Sequence, residues 1–147
     1  MMGRFNRLLD ATYTPPSRWV LNTALSYDTD VLTESQVKEF KRLGVKITIK
    51  GKITAPKGFD TDLASVPRAG WMFIAPFDVA RAAVIHDVLY KAIREGDSEM
   101  KSELRKAADL VFKDAMAQSE PVVAPWKCWS AWAAVRAFGW NAVKVKD

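Results

Sequence analysis

The stretch Asp78 to Arg94, DVARAAVIHDVLYKAIR, reads as a helix, and only Glu95-Gly96-Asp97-Ser98 separates it from a second helical pattern over Glu99 to Gln118. Two helices joined by so short a turn run antiparallel and pack against each other. The rest of the chain must pack on that pair. Ser98 is the expected cap of the second helix. Its buried stripe falls on Leu104, Ala107, Ala108, Val111, Phe112, Ala115 and Met116. The first helix carries the only histidine, His86, beside Asp87 and one turn before Tyr90. At 3.6 residues per turn His86 and Tyr90 share a face, and Asp87 sits about 100° around. Asp109 lies beside the stripe of the second helix, near its middle, so the antiparallel arrangement brings it toward His86. A histidine, a carboxylate and a phenol so placed suit proton transfer or metal binding. The same residues equally make a buried histidine bonded to a carboxylate, with Tyr90 as core.

Upstream the pattern changes to strands. Arg18 to Tyr27, RWVLNTALSY, has the aromatic and β-branched content of a strand, and Asp28-Thr29-Asp30 reads as a turn. Thr33-Glu34-Ser35-Gln36 is a capping box, followed by Val37, Phe40 and Leu43 at helical spacing and a Gly44 stop, which predicts a short helix over 34–43. Val45 to Thr54 alternates: Val45, Ile47 and Ile49 on one face, Lys46, Thr48 and Lys50 on the other, with Gly51-Lys52 as a turn or bulge. Residues 1–17 end in Thr14-Pro15-Pro16-Ser17, which breaks any helix. They read as an arm that docks on a partner, or as a strand lead-in packed on its own domain. Residues 18–147 are then one globular domain, the size expected of a chain this long.

Between strands and helices lies Ala55 to Arg68, APKGFDTDLASVPR, broken by Pro56, Gly58 and Pro67. It carries Asp60, Asp62, Ser65 and Arg68, and an irregular loop can aim polar groups where a strand cannot. The alternative is a scaffold, with Asp62 or Ser65 capping a short turn and Arg68 paired to a helix carboxylate. Trp71, Met72, Phe73, Ile74 and Phe77 then form an apolar plug leading into the His86 helix.

A last helix is expected from Trp126 to about Val143, after Pro121 and Pro125. Trp126, Trp129, Trp132, Ala133, Arg136 and Trp140 recur on it at steps of three and four. Such a ridge fits a core, yet six tryptophans in a small domain also suit a partner surface, where large aromatics concentrate binding energy. The net charge of +5 favours acidic partners, but basic residues are interleaved with acidic ones, and no Lys/Arg run supports nucleic-acid binding. No apolar run approaches a membrane span, and the N-terminus has no apolar leader core. Cys128 is the only cysteine, which excludes an intrachain disulfide and a multi-cysteine zinc site. Any metal would have to rely on carboxylates, favouring calcium or magnesium.

Four motifs resemble a family of small proteins of tailed phages and prophages, a domain of unknown function. They are Gly58-Phe59-Asp60-Thr61-Asp62-Leu63-Ala64-Ser65-Val66-Pro67-Arg68, then His86-Asp87-Val88-Leu89-Tyr90, then Ala108-Asp109 through Phe112 and Ala115, and finally Ala134-Val135-Arg136-Ala137-Phe138-Gly139. The resemblance covers about residues 45–140 and implies a phage or prophage origin. His-Asp-x-x-Tyr on one helix with an Asp on the next is also similar to the core of secreted calcium-dependent phospholipases. That likeness implies His86 as base, Asp87 as metal ligand and Asp109 as the group orienting His86. The glycine-rich calcium loop and the disulfides of those enzymes have no counterpart here.

The expected fold is α+β: a small antiparallel sheet from residues 18–55 packed on a three-helix layer from 78–144. Asp62, Ser65 and Arg68 are expected to converge with His86, Asp87 and Asp109 into one polar cluster. Two functions fit this expectation. One is a virion structural or assembly component (tail, neck or portal vertex), assembled in the host bacterial cytoplasm, present in several copies and binding other phage particle proteins. The other is a hydrolase acting on the host envelope or a phage protein. It would use His86 as general base, with Asp109, Ser65, Arg68 and Tyr90 around it and a divalent cation such as calcium on Asp87 and Asp62.

Overall fold

In the computed structural model the described residues are 4–6, 9, 11–14, 18–61, 76–117 and 125–138. The fold is α+β, with antiparallel sheets in the first part of the chain and helices in the second. The strands are β1 (Arg4–Phe5), β2 (Ala11–Thr14), β3 (Arg18–Leu21), β4 (Leu25–Asp28), β5 (Lys46–Ile47), β6 (Lys52–Ala55) and β7 (Asp60–Thr61). The described helices are α1 (Glu34–Arg42), α2 (Pro76–Glu95), α3 (Lys101–Ala117) and α4 (Pro125–Phe138). None of them is long and apolar enough to cross a membrane.

Where one sheet was expected there are two. The first has the order β1-β4-β6-β5 and the second β2-β3-β7. The stretch 18–27, expected as one strand, divides at residues 22–24. Leu21 exchanges backbone hydrogen bonds with the Gly58–Phe59 turn, its N–H reaching Phe59 O at 3.0 Å and its carbonyl accepting from Gly58 N at 2.8 Å. That capture holds β3 in the second sheet, while β4 continues into the first with Leu25, Ser26 and Tyr27 all buried. Within 1–17, Arg4–Phe5 pairs with β4 and Ala11–Thr14 with β3, so these two stretches are strands of the domain itself.

Local chemistry sets α1 as the sequence predicts. Gln36 N donates to the Thr33 hydroxyl at 3.2 Å, and Thr33 N donates to the Gln36 side chain at 3.0 Å. Val37 and Phe40 face the core, and Gly44 takes a positive φ of 100° beyond the end. The β5–β6 turn falls at Thr48–Gly51, earlier than expected. Gly51 N donates to Thr48 O at 2.9 Å and Thr48 N to Lys52 O at 3.0 Å. Ile49 therefore leaves the face of Val45 and Ile47 and stands 79% exposed on the turn.

The helices form a layer with α3 between α2 and α4, and α2 also packs on α1, β4 and β6. Every residue from Ala82 to Tyr90 is buried, so α2 is enclosed on all sides over that stretch. The expected stripe of α3 is buried throughout. This enclosure places two ionisable residues, His86 and Asp109, in the core between α2 and α3.

Candidate functional site

Asp109 on α3 reaches across to α2, and His86 Nε2 lies 2.8 Å from its Oδ1. A carboxylate only accepts hydrogen bonds, so Nε2 carries the hydrogen of that contact. The Tyr90 hydroxyl, one turn along α2, donates to the same Oδ1 at 2.5 Å. The His86 and Tyr90 rings lie 4.0 Å apart between centroids, and the Phe112 ring lies 5.0 Å from the imidazole. The second carboxylate oxygen, Oδ2, accepts from Arg136 Nη1 of α4 at 3.0 Å. One carboxylate thus ties three helices together.

Burial decides the energetics. The side chains of His86 and Asp109 are 0% exposed, and Arg136 is 30% exposed, so its charge keeps contact with water. A buried carboxylate needs such partners, because an isolated charge in an apolar interior is very costly. Burial, followed by the negative charge of Asp109 and its hydrogen bond, pushes the Tyr90 phenol far above its ordinary range. Tyr90 therefore stays protonated and remains a donor. Arg105, buried on α3, donates to the carbonyls of Val135 at 2.9 Å and Arg136 at 2.5 Å. Those carbonyls lie in the last turn of α4.

On the neighbouring face of α2, about 100° around the helix, Asp87 accepts from the Thr61 hydroxyl of β7. This contact joins the start of the polar loop to the His86 helix. Asp62, Ser65 and Arg68 lie outside the described residues, as do Trp71 to Ile74 of the apolar plug. Asp60 turns away to a forked ion pair with Arg18, whose Nε is 2.7 Å from its Oδ1.

The family-model match to residues 39–135 runs from α1 to the last turn of α4 and takes in the His86, Asp87, Tyr90 and Asp109 positions. The chain belongs to the DUF1353 family, described as proteins of unknown function. No curated protein and no solved structure matches the chain. Within the DUF1353 region, no group of three or more His, Cys, Asp or Glu side chains suited to a metal ion occurs among the described residues. Both oxygens of Asp109 accept hydrogen bonds from internal donors. A cleft of about 460 Å³ between α1 and the β5–β6 turn is lined by Thr29, Asp30, Leu32, Glu34, Val37, Ile49, Lys50 and Gly51, and includes none of the network residues.

The antiparallel α2–α3 pair brings Asp109 to His86, as their mid-helix positions suggest. Arg136, Arg105 and Thr61 complete the arrangement without having been singled out as site residues. Arg136 had a signal, as a lone charge within an otherwise apolar ridge. Thr61 sits between two aspartates that drew attention from it. Arg105 gave none, because one arginine among the many charges of α3 looks solvated.

Proposed function

We propose that this protein is a structural or assembly component of a bacteriophage particle, associated with the tail, neck or portal vertex and acting by binding other particle proteins. The observation that supports this reading most directly is the enclosure of the polar network. His86, Tyr90 and Asp109 each have no exposed surface, and the Asp109 oxygens are taken up by internal donors. A general base must reach a substrate proton within hydrogen-bonding distance. These groups instead fix the relative placement of α2, α3 and α4. Resemblance of the four motifs to a phage and prophage family gives the setting, and exposed Trp126 and Trp129 give a binding surface.

Mass spectrometry of purified particles of the encoding phage, counting copies of this chain, tests the proposal. A reproducible integral copy number is the expected result. Absence from the particle overturns it.

One observation favours a second reading, a hydrolase. The 2.8 Å His86–Asp109 contact is the geometry of a base and its orienting carboxylate, with Asp87 beside it on the same helix. Hydrolysis of host-envelope or phage-protein substrates that is lost in His86→Gln, with the fold retained by circular dichroism, would establish it.

A further inference from the structure

Helix α4, PWKCWSAWAAVRAF, is apolar around most of its circumference, a composition normally found in fully enclosed helices. Several of its described side chains are not enclosed. Trp126 is 59% and Trp129 58% exposed, and Trp132, Ala133 and Ala134 are half-buried. Trp126, Trp129 and Trp132 follow at steps of three and form one stripe. On the adjoining helix, Lys106, Leu110 and Lys113 follow at steps of four and three and form a second stripe, with Lys106 and Leu110 exposed. The two stripes meet where the Lys113 ammonium lies over the Trp132 ring, 5.0 Å from its centroid.

The charge of this seam is positive. The nearby carboxylates of α3 turn inward: Asp109 is fully buried, and Asp114 accepts from the hydroxyls of Tyr27 at 2.5 Å and Thr29 at 3.2 Å. Arg136 of α4 is held by Asp109. Glu103 is exposed one turn beyond Lys106, at the far end of the stripe. Lys106 and Lys113 therefore lie beside the tryptophans as the outward charges of this seam.

We propose that the outer seam of α3 and α4 docks an acidic amphipathic helix of another protein, burying its apolar ridge on Trp126 and Trp129 and setting its carboxylates against Lys106 and Lys113. The proposal rests on the assembly reading above and gives the partner's chemistry. Each stripe is about 10 Å long at 1.5 Å per residue, which fits roughly two turns of a docked helix. A helix laid into an apolar groove is a recurrent recognition mode, and exposed tryptophans are its usual anchors.

The test uses the full chain and the fluorescence anisotropy of a labelled peptide of about 18 residues, a length at which helices form. Leucines at helical spacing make its ridge and glutamates flank it; a second peptide has lysines in place of the glutamates. The acidic peptide is expected to bind, weaken with salt, and lose about tenfold or more in affinity in the Trp126→Ala/Trp129→Ala variant. Lys106→Glu/Lys113→Glu should reverse the preference between the two peptides. Both variants change exposed or half-exposed side chains, and unchanged circular dichroism confirms folding. No binding of the acidic peptide, equal binding by the tryptophan variant, or preference of the unaltered chain for the basic peptide overturns the proposal. So does tryptophan-dependent binding to phosphatidylglycerol vesicles without peptide binding, or tryptophan-dependent dimerisation that excludes the peptide. Particle copy number is a separate measurement, so failure of this surface and failure of the assembly reading are distinguishable.

Discussion

Asp109 and Arg136 meet at 3.0 Å across α3 and α4, one fully buried and the other reaching solvent. Their pairing leaves the inner oxygen of the carboxylate for α2, where His86 and Tyr90 both engage it. The network is therefore asymmetric, with a dry end on α2 and a wet end on α4. That asymmetry sets the cost of removing each member.

Asp109→Ala is expected to destabilise the fold by about 3–5 kcal/mol, because it leaves buried donors without an acceptor and opens a cavity. Arg136→Leu should cost somewhat less, about 2–3 kcal/mol, since it takes the cationic partner from a buried carboxylate while the donors of His86 and Tyr90 remain. Urea denaturation of both variants checks the ranking. Equal losses would show that the charge pair, and not the buried cluster, carries the stability.

Tyr90→Phe removes a donor and keeps the ring, for a cost of about 1–2 kcal/mol. The tyrosines also fix the alkaline behaviour. Burial and a neighbouring aspartate raise the phenols of both Tyr27 and Tyr90. Above about pH 10 the unfolded phenols ionise while the native ones keep their protons. Stability is therefore full below that pH and falls as pH rises beyond it. Denaturation midpoints measured across the alkaline range should decline less steeply in Tyr27→Phe and in Tyr90→Phe.

The acid limb is expected to involve Glu39. Hydrogen bonds from Arg42 and Ser98, the Arg42 one foremost, lower its carboxyl to about 2. A lowered folded-state pKa contributes stability above the unfolded value of about 4.3, and that contribution is lost as pH falls toward 2. Glu39→Gln should flatten the stability profile over that window. An unchanged profile would mean that the clamp between α1 and the α2–α3 turn adds nothing.

Two glycines separate strain from crowding. Both Gly44 and Gly51 have positive φ, 100° and 95°. A Cβ on Gly44 meets nothing within 4 Å, whereas one on Gly51 would lie 2.2 Å from the Thr29 carbonyl oxygen. Gly44→Ala should cost about 1 kcal/mol from backbone strain alone. Gly51→Ala should cost distinctly more, because backbone must move away from backbone. Thermal denaturation of the pair tests the difference.

The sequence by itself determined the helices. Periodicity, the Thr33 capping box and the short turn after Glu95 are local signals, and they place α1, α2 and α3 to within a few residues. The antiparallel α2–α3 arrangement follows from that turn, and with it the approach of Asp109 to His86. Tertiary structure alone decided the rest. Residues 18–27 could have been one strand on propensity, until the turn at Gly58–Phe59 took Leu21 into a separate sheet. Ile49 has the alternation of a buried face, yet the position of the β-turn, held by Gly51 against Thr29, places it in water. Arg105 reads as a surface charge and Arg136 as a lone charge in an apolar ridge, but the α3–α4 contact turns one into a cap for helix carbonyls and the other into the partner of a buried carboxylate. Local sequence sets which backbone hydrogen bonds can form within a segment. Which distant donor reaches a buried acceptor depends on how the segments pack.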